Sequence, residues 1–285
     1  MIIDCLSISK NFDAGVQAAV QRLRDGGSTP RMCEILATHS EGTLSYSATK
    51  KRKAHALGIE YEPLNYSQEV HFTEIVDKIT QLNANPEVHG ILIGMPMYSH
   101  LDSEKLIATI DASKDVDGLG PTNSYFVFSN QEHLGIAPAT AVAVVHILET
   151  RFSLRGRSVA VVGRGRTVGR PVGAMLTNRD ATVTVCHSRT PKPELERIVR
   201  NSEILIAATG TPGVVRSEWF SRDQTVVDCG IAIVNGKTVG DLNSAEVSDR
   251  GAFVTPVPKG VGVVTNSMIF GNLLQAVKLK SGDGR

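Results

Sequence analysis

Hydrophobic positions along the chain switch between two periods. From residue 11 to 25, Phe12, Val16, Ala19, Val20 and Leu23 recur at the spacing of one helix face, and Gly26 and Gly27 close the run. Met-Cys-Glu-Ile-Leu-Ala-Thr, over 32 to 38, then predicts a strand. Helical patterns follow over 45 to 57, ended by Gly58, and over 71 to 83, before His89-Gly-Ile-Leu-Ile predicts a buried parallel strand. A helix over 140 to 150 is expected to join two lobes. Beyond it the period alternates again, with strands predicted from 158 and over 181 to 187, 203 to 208 and 225 to 229. A last helix from Ser267 to Leu279 is apolar on one face and long enough to pack back on the first lobe, and the tail from Ser281 is expected to fray.

This βα alternation predicts an α/β fold in two lobes, the second a Rossmann-type doubly wound parallel sheet. A length of 285 residues supports two domains that each bury a core. With a net charge of +1, 41% apolar and 21% charged residues, the chain has no global basic field, which argues against nucleic acid as a partner. No apolar run reaches the roughly 20 residues of a membrane span, and Met1-Ile-Ile-Asp-Cys5 lacks the layout of a secretory signal, so no membrane partner and a cytoplasmic location are expected. Cys5, Cys33, Cys186 and Cys229 are scattered and the eight histidines show no ligand spacing, so neither a disulfide framework nor a metal is expected.

Residues 158 to 171, Ser-Val-Ala-Val-Val-Gly-Arg-Gly-Arg-Thr-Val-Gly-Arg-Pro, read as a buried strand running into a glycine loop and a helix. Gly163, Gly165 and Gly169 permit a tight turn and close backbone approach, and free N–H groups at the helix start attract phosphate. Their G-x-G-x-x-x-G spacing is one residue longer than the usual fingerprint. Alone it leaves two readings open, a dinucleotide cradle and a plain strand-to-helix turn. The second strand ends Cys186-His187-Ser188-Arg189, without the acid that would accept from a ribose 2′-hydroxyl. Arg164, Ser188 and Arg189 offer donors suited to a phosphate, so NADP is expected rather than NAD. The other reading of Arg164, Arg166 and Arg170 is a solvated basic rim, although three like charges in seven residues repel unless an anion is present.

In the first lobe, Tyr46 and Lys50 are four apart and share a helix face, so they can meet one ligand. Lys50-Lys-Arg-Lys53 is equally a solvated basic face. Lys114-Asp-Val-Asp-Gly118 sets two carboxylates beside a turn glycine, which by itself is compatible with a capped turn. Together and in order, these residues resemble the methylenetetrahydrofolate dehydrogenase/methenyltetrahydrofolate cyclohydrolase family. The resemblance covers nearly the whole chain. It runs through Tyr46-x-x-x-Lys50 with Arg52, Gly90-Ile-Leu-Ile with Pro96, Lys114 to Gly118, and Gly163-Arg164 with Val168-Gly169 and Pro171. It continues through Cys186-His-Ser188, Thr209-Gly210-x-Pro212, Asp228-x-Gly230, Gly240-Asp241, and Thr255-Pro-Val-Pro258 with Gly260-Val-Gly262 and Thr265.

The resemblance implies a folate-binding catalytic domain over 1–138, completed by a C-terminal helix over 266–285, and an NADP-binding Rossmann domain over 139–265, with the ligands meeting between them. Homodimerisation through the second lobe is implied as well. Tyr46 would stack on the p-aminobenzoyl ring, Asp117 would accept from pterin N–H groups, Gly94 and Pro96 would border the folate, and Pro256, Gly260 and Gly262 would shape the wall toward the nicotinamide. NADP would lie on Gly163, Arg164, Gly165, Val168 and Gly169, with Ser188 at the 2′-phosphate. Thr209, Gly210, Pro212, Gly230, Ile231 and Thr265 would complete its site. Lys50 would be the catalytic residue of the cyclohydrolase, a role that needs proton transfer near neutral pH.

The chain departs from its family at several positions. Ile93-Gly94-Met95-Pro96-Met97-Tyr98 stands where the family reads Val-Gln-Leu-Pro-Leu-Pro, so Gly94 replaces the glutamine that orients the lysine. Ala139 and Ala141, and Lys259, Val263 and Val264, are further departures. The resulting expectation is NADP-dependent oxidation of 5,10-methylenetetrahydrofolate with cyclohydrolase activity weak or lost. The alternatives are a fully bifunctional enzyme, an NADP oxidoreductase with a different substrate, and a non-catalytic folate or nucleotide binder.

Overall fold

The computed structural model describes residues 1–281, so the tail at 282–285 lies outside the described residues. Two compact units divide the chain. One is Phe12–Ala139 with the chain from Ile269 onward, and the other is Met1–Asn11 with Thr140–Met268.

The first of these units holds most of α1 (Cys5–Asp25), then β1 (Arg31–Leu36), α2 (Glu41–Leu57), β2 (Glu60–Asn65), α3 (Phe72–Ala84), β3 (Gly90–Ile93), α4 (Ser103–Thr109) and α5 (Pro121–Phe128). Its sheet has the order β2-β1-β3, all parallel. Strand alternation sends Cys33 and Ile35 to one face, where they pack with Ile91 and Ile93 against Ile75, Ile79 and Leu106 from α3 and α4. The opposite face therefore receives Met32, Glu34 and Leu36 of β1, with Leu92 in register with Glu34. Helix α2 is capped by Ser40, whose hydroxyl accepts from the Thr43 N–H at 3.2 Å, and ends at Gly58 with φ 80°. Its buried stripe is Thr43, Ser47, Lys50, Ala54 and Leu57, a 3.6-residue period in which three of five members are polar.

The second unit carries α6 (Ala139–Glu149), β4 (Ser158–Val162), α7 (Gly169–Thr177), β5 (Thr182–Cys186), α8 (Lys192–Asn201), β6 (Ile204–Ala207) and β7 (Thr225–Asp228). A hairpin of β8 (Ala232–Val234) and β9 (Lys237–Val239) follows, then α9 (Ser244–Asp249), β10 (Phe253–Val254) and the start of α10 (Val261–Ser281). The sheet order β10-β7-β6-β4-β5 is parallel throughout, with the doubly wound reversal beside β4. The N-terminal residues join this unit rather than the first. The Ile3 N–H donates to the Val254 carbonyl and the Val254 N–H to the Met1 carbonyl, both at 2.9 Å, so the chain start extends the β10 edge. The expected domain boundary at 138/139 thus lies one residue from the division at 139/140, while residues 1–11 lie on the other side of it. Among the described residues, no helix is long and apolar enough to cross a membrane.

Candidate active site

Lys50 is not part of a solvated basic face. It is 3% exposed, whereas Lys51 and Arg52 beside it are exposed. Its Nζ stands 2.6 Å from Glu34 Oε1 and 4.5 Å from the centre of the Tyr46 ring. Glu34 is fully buried in the middle of β1. Its Oε2 accepts from Ser47 Oγ, one turn before Lys50, at 2.5 Å, and from the Tyr61 hydroxyl on β2. Burial first, and then the Glu34 charge, push the Tyr61 phenol up, so it donates. Tyr46 keeps 36% of its surface exposed, while Lys50 beside its ring is buried.

The segment from Lys114 to Gly118 divides its labour. Lys114 Nζ donates to the carbonyls of Leu82, Asn83 and Asn85 at 2.7 to 2.9 Å, closing the end of α3. Asp115 accepts from the Gly118 and Gly120 N–H groups and from Asn123 Nδ2, at 3.0, 2.7 and 3.1 Å, so it caps the turn. Gly118 has φ 70°, and a Cβ there would stand 2.5 Å from Ala137 backbone. Asp117 takes none of these bonds. Burial, then repulsion from Asp115, push its carboxyl up to about 7 against the pull of Lys50. The capped-turn reading of the motif therefore holds for Asp115, while Asp117 lies outside the cap.

Gly94 follows β3 on the face that carries Glu34 and Leu36. A Cβ there would lie 2.6 Å from Leu36 Cδ2 and 3.2 Å from Thr43 Cγ2, so neighbouring side chains occupy the space a larger residue would need. Thr43 Oγ1 donates to the Met95 carbonyl at 2.7 Å and holds the segment leading to Pro96. Tyr46, Lys50 and Asp117 thus share the electrostatic neighbourhood of Glu34, with Gly94 on its sheet face.

In the second unit the glycine loop closes on backbone. A Cβ at Gly163, where φ is 125°, would stand 2.1 Å from the Ala208 carbonyl oxygen, and one at Gly169 would stand 2.2 Å from the Gly163 oxygen. Gly165 meets nothing within 4 Å, and Arg164, Gly165, Ser188 and Arg189 are exposed. Val168 caps α7, and Gly169 begins it. The loop therefore offers a helix start, open backbone and guanidinium groups to a polyanion.

Two buried aspartates brace the facing loops. Asp228 accepts from the N–H groups of Gly230, Asp241 and Leu242 at 2.8, 3.1 and 2.9 Å, yet burial pushes its carboxyl up to about 6. Asp241 Oδ2 accepts from the Thr209 N–H at 2.6 Å, fixing the turn through Gly210 and Pro212. Ile231 beyond Gly230 is 67% exposed. The Pro256 carbonyl lies where a Cβ of Gly260 would fall, at 1.9 Å, which makes that turn glycine-dependent ahead of Gly262 and α10. Thr265 Oγ1 is buried with no hydrogen-bond partner among the described residues, leaving a polar atom to a ligand. Glu34, Ser47, Tyr61 and the Asp228–Asp241 bracing are the site features that sequence reasoning misses. The available signal for Glu34 was a lone acid inside an apolar strand, which must find a partner if buried.

These arrangements define an α/β enzyme with a doubly wound nucleotide-type domain. A model described as tetrahydrofolate dehydrogenase/cyclohydrolase, catalytic domain, matches residues 3–117, and one described as the NAD(P)-binding domain of the same family matches 138–281. The bifunctional protein FolD of Heliobacterium modesticaldum is 36% identical over 98% of this chain and 97% of its own length. The crystal structure of bifunctional FolD methylenetetrahydrofolate dehydrogenase/cyclohydrolase from Campylobacter jejuni superposes with a TM-score of 0.93 at 30% identity, covering 98% of this chain and 99% of that one. The Trypanosoma brucei enzyme, solved with NADP cofactor and an inhibitor, gives 0.91 at 31% identity, covering 99% of this chain and 98% of that one. The chain belongs to the tetrahydrofolate dehydrogenase/cyclohydrolase family, whose members are enzymes of one-carbon chemistry on folate.

Proposed function

We propose that the chain oxidises 5,10-methylenetetrahydrofolate to the 5,10-methenyl form with NADP, and that it hydrolyses the methenyl product slowly or not at all. Bound NADP supplies the hydride acceptor. Hydride loss leaves a cation shared by the two folate nitrogens, so the step needs positioning rather than an acid or base. Tyr46 stacks on the p-aminobenzoyl ring, and Asp117, ionised, accepts from the pterin N–H groups. Gly94 and Pro96 border the folate, and Pro256, Gly260 and Gly262 form the nicotinamide-side wall. Gly163, Gly165, Val168 and Gly169 take the pyrophosphate side, and Arg164 with Ser188 the 2′-phosphate. Thr209, Gly210, Pro212, Gly230, Ile231 and the unpartnered Thr265 hydroxyl take the remainder.

The observation that carries this reading is the contrast around Lys50. Tyr46 and Asp117 are present, while position 94 has no side chain to orient the lysine and Leu36 stands 2.6 Å from where one would begin. The test is a paired assay with NADP and NAD compared. We expect NADP-dependent oxidation of methylenetetrahydrofolate and hydrolysis of methenyltetrahydrofolate hardly faster than buffer. Robust Lys50-dependent hydrolysis refutes the second half, and absence of any hydride transfer refutes the first. We infer a homodimer through the second unit, because β5 ends its sheet with Thr184 and Val185 exposed. Sedimentation of Val185→Lys, expected to be monomeric, checks this.

A further inference from the structure

Glu34 is a buried carboxylate that the dehydrogenation does not require. Burying a charge is costly, and one held in the centre of a strand by three partners from two other elements is a constructed feature. Its Oε1 faces the Lys50 ammonium at 2.6 Å, and its Oε2 takes the hydroxyls of Ser47 and Tyr61. Two hydroxyl donors on one oxygen favour the ionised carboxylate, and an ionised carboxylate favours a charged lysine. The other groups near Lys50 are the Tyr46 ring on its own helix and Asp117 from the segment between α4 and α5. Both also favour the cation.

Hydrolysis of a methenyl cation makes the opposite demand. A water oxygen bonds to the cationic carbon and gives up a proton to a base. The hydroxyl so formed loses its own proton as the carbonyl forms and the bond from that carbon to one folate nitrogen breaks; one proton goes to that nitrogen and the other is released to solvent. An amine can take the proton only when it is neutral.

We propose that Glu34 is a positioning residue that clamps Lys50 as an ammonium and so withholds it from accepting the proton of the attacking water. This rests on the reading of slow hydrolysis above. It assigns that slowness to a residue present, Glu34, as well as to the side chain missing at position 94.

The test is Glu34→Gln, which keeps the shape and removes the charge, with Glu34→Asp as the milder variant should the first melt too early to use. Lys50 is followed by NMR in protein labelled with 13C-lysine, its signal assigned by its loss in Lys50→Met. We expect loss of the 2.6 Å partner charge to let the Lys50 signal lose its proton at lower pH in Glu34→Gln than in the wild type, and by a smaller margin in Glu34→Asp. Hydrolysis of methenyltetrahydrofolate should rise at least about tenfold in Glu34→Gln, with a pH inflection at the lysine's own. An unchanged Lys50 titration overturns the role of Glu34 even where hydrolysis is slow. Fast hydrolysis by the wild type overturns the reading of slow hydrolysis and the withholding drawn from it, while the titration difference still reports whether Glu34 keeps the proton on Lys50.

Discussion

Both units bury carboxylates against a parallel sheet, and they satisfy them in different currencies. In the nucleotide unit, Asp228 accepts three backbone N–H bonds and Asp241 one. In the other unit, Glu34 is met only by side chains, a lysine, a serine and a tyrosine. A carboxylate matched to backbone fixes the course of loops and leaves their outer faces to a ligand. A carboxylate matched to a lysine fixes where that amine sits and what charge it carries. The first device builds a scaffold, whereas the second tunes chemistry.

Removing one side of the ion pair is the largest way to break this comparison. Lys50→Met leaves Glu34 buried without its cation and should cost about 3–5 kcal/mol by denaturant melts, with most of the loss recovered in Glu34→Leu/Lys50→Met. Next comes the space at position 94. Gly94→Ala puts a Cβ 2.6 Å from a Leu36 methyl and should cost about 1–3 kcal/mol. Gly163→Ala should cost more, because its obstacle is a carbonyl at 2.1 Å and its φ of 125° is unfavourable for any side chain. Arg164→Ala should weaken NADP binding about tenfold by titration and leave NAD nearly unchanged, since only the former carries the extra phosphate.

The smallest effect is a pH dependence. With Asp117 pushed up to about 7, its ionised form is the minority at pH 6 and half the population at neutrality. Pterin donors bind the anion, so folate binding releases a proton, and affinity should rise about fivefold from pH 6 to pH 7 before levelling off. Asp117→Asn should bind weakly with no such slope, and calorimetry in two buffers measures both.

Much of the fold was legible. The βα alternation, the helix ended by Gly58 and the strand before Gly163 all lie where the periods put them, because apolar spacing and glycine punctuation act over a few residues. The missed strand β2, Glu-Tyr-Glu-Pro-Leu-Asn, is polar and contains Pro63, which an edge strand tolerates and a periodicity reading rejects. The β8–β9 hairpin lies outside the elements that periodicity predicts, its signal being the local Asn235-Gly236 turn, where both residues have positive φ. Motif spacing singles out Tyr46, Lys50 and Asp117. Burial then separated Lys50 from the exposed Lys51 and Arg52, which the run Lys-Lys-Arg-Lys leaves equivalent.

By itself the sequence determined which elements form, that a glycine loop opens a helix without an acid after the second strand, and to which family the chain belongs. Each rests on neighbouring residues or on residue identity. Only the tertiary structure decided that Asp115 caps a turn while Asp117 stays available, that Leu36 crowds position 94, and that Glu34, Ser47 and Tyr61 converge around Lys50. The physical reason is the same in each case. The charge and reach of a buried side chain are set by partners on other strands and helices, and strand register and helix packing bring those partners together across distances that local pattern does not encode.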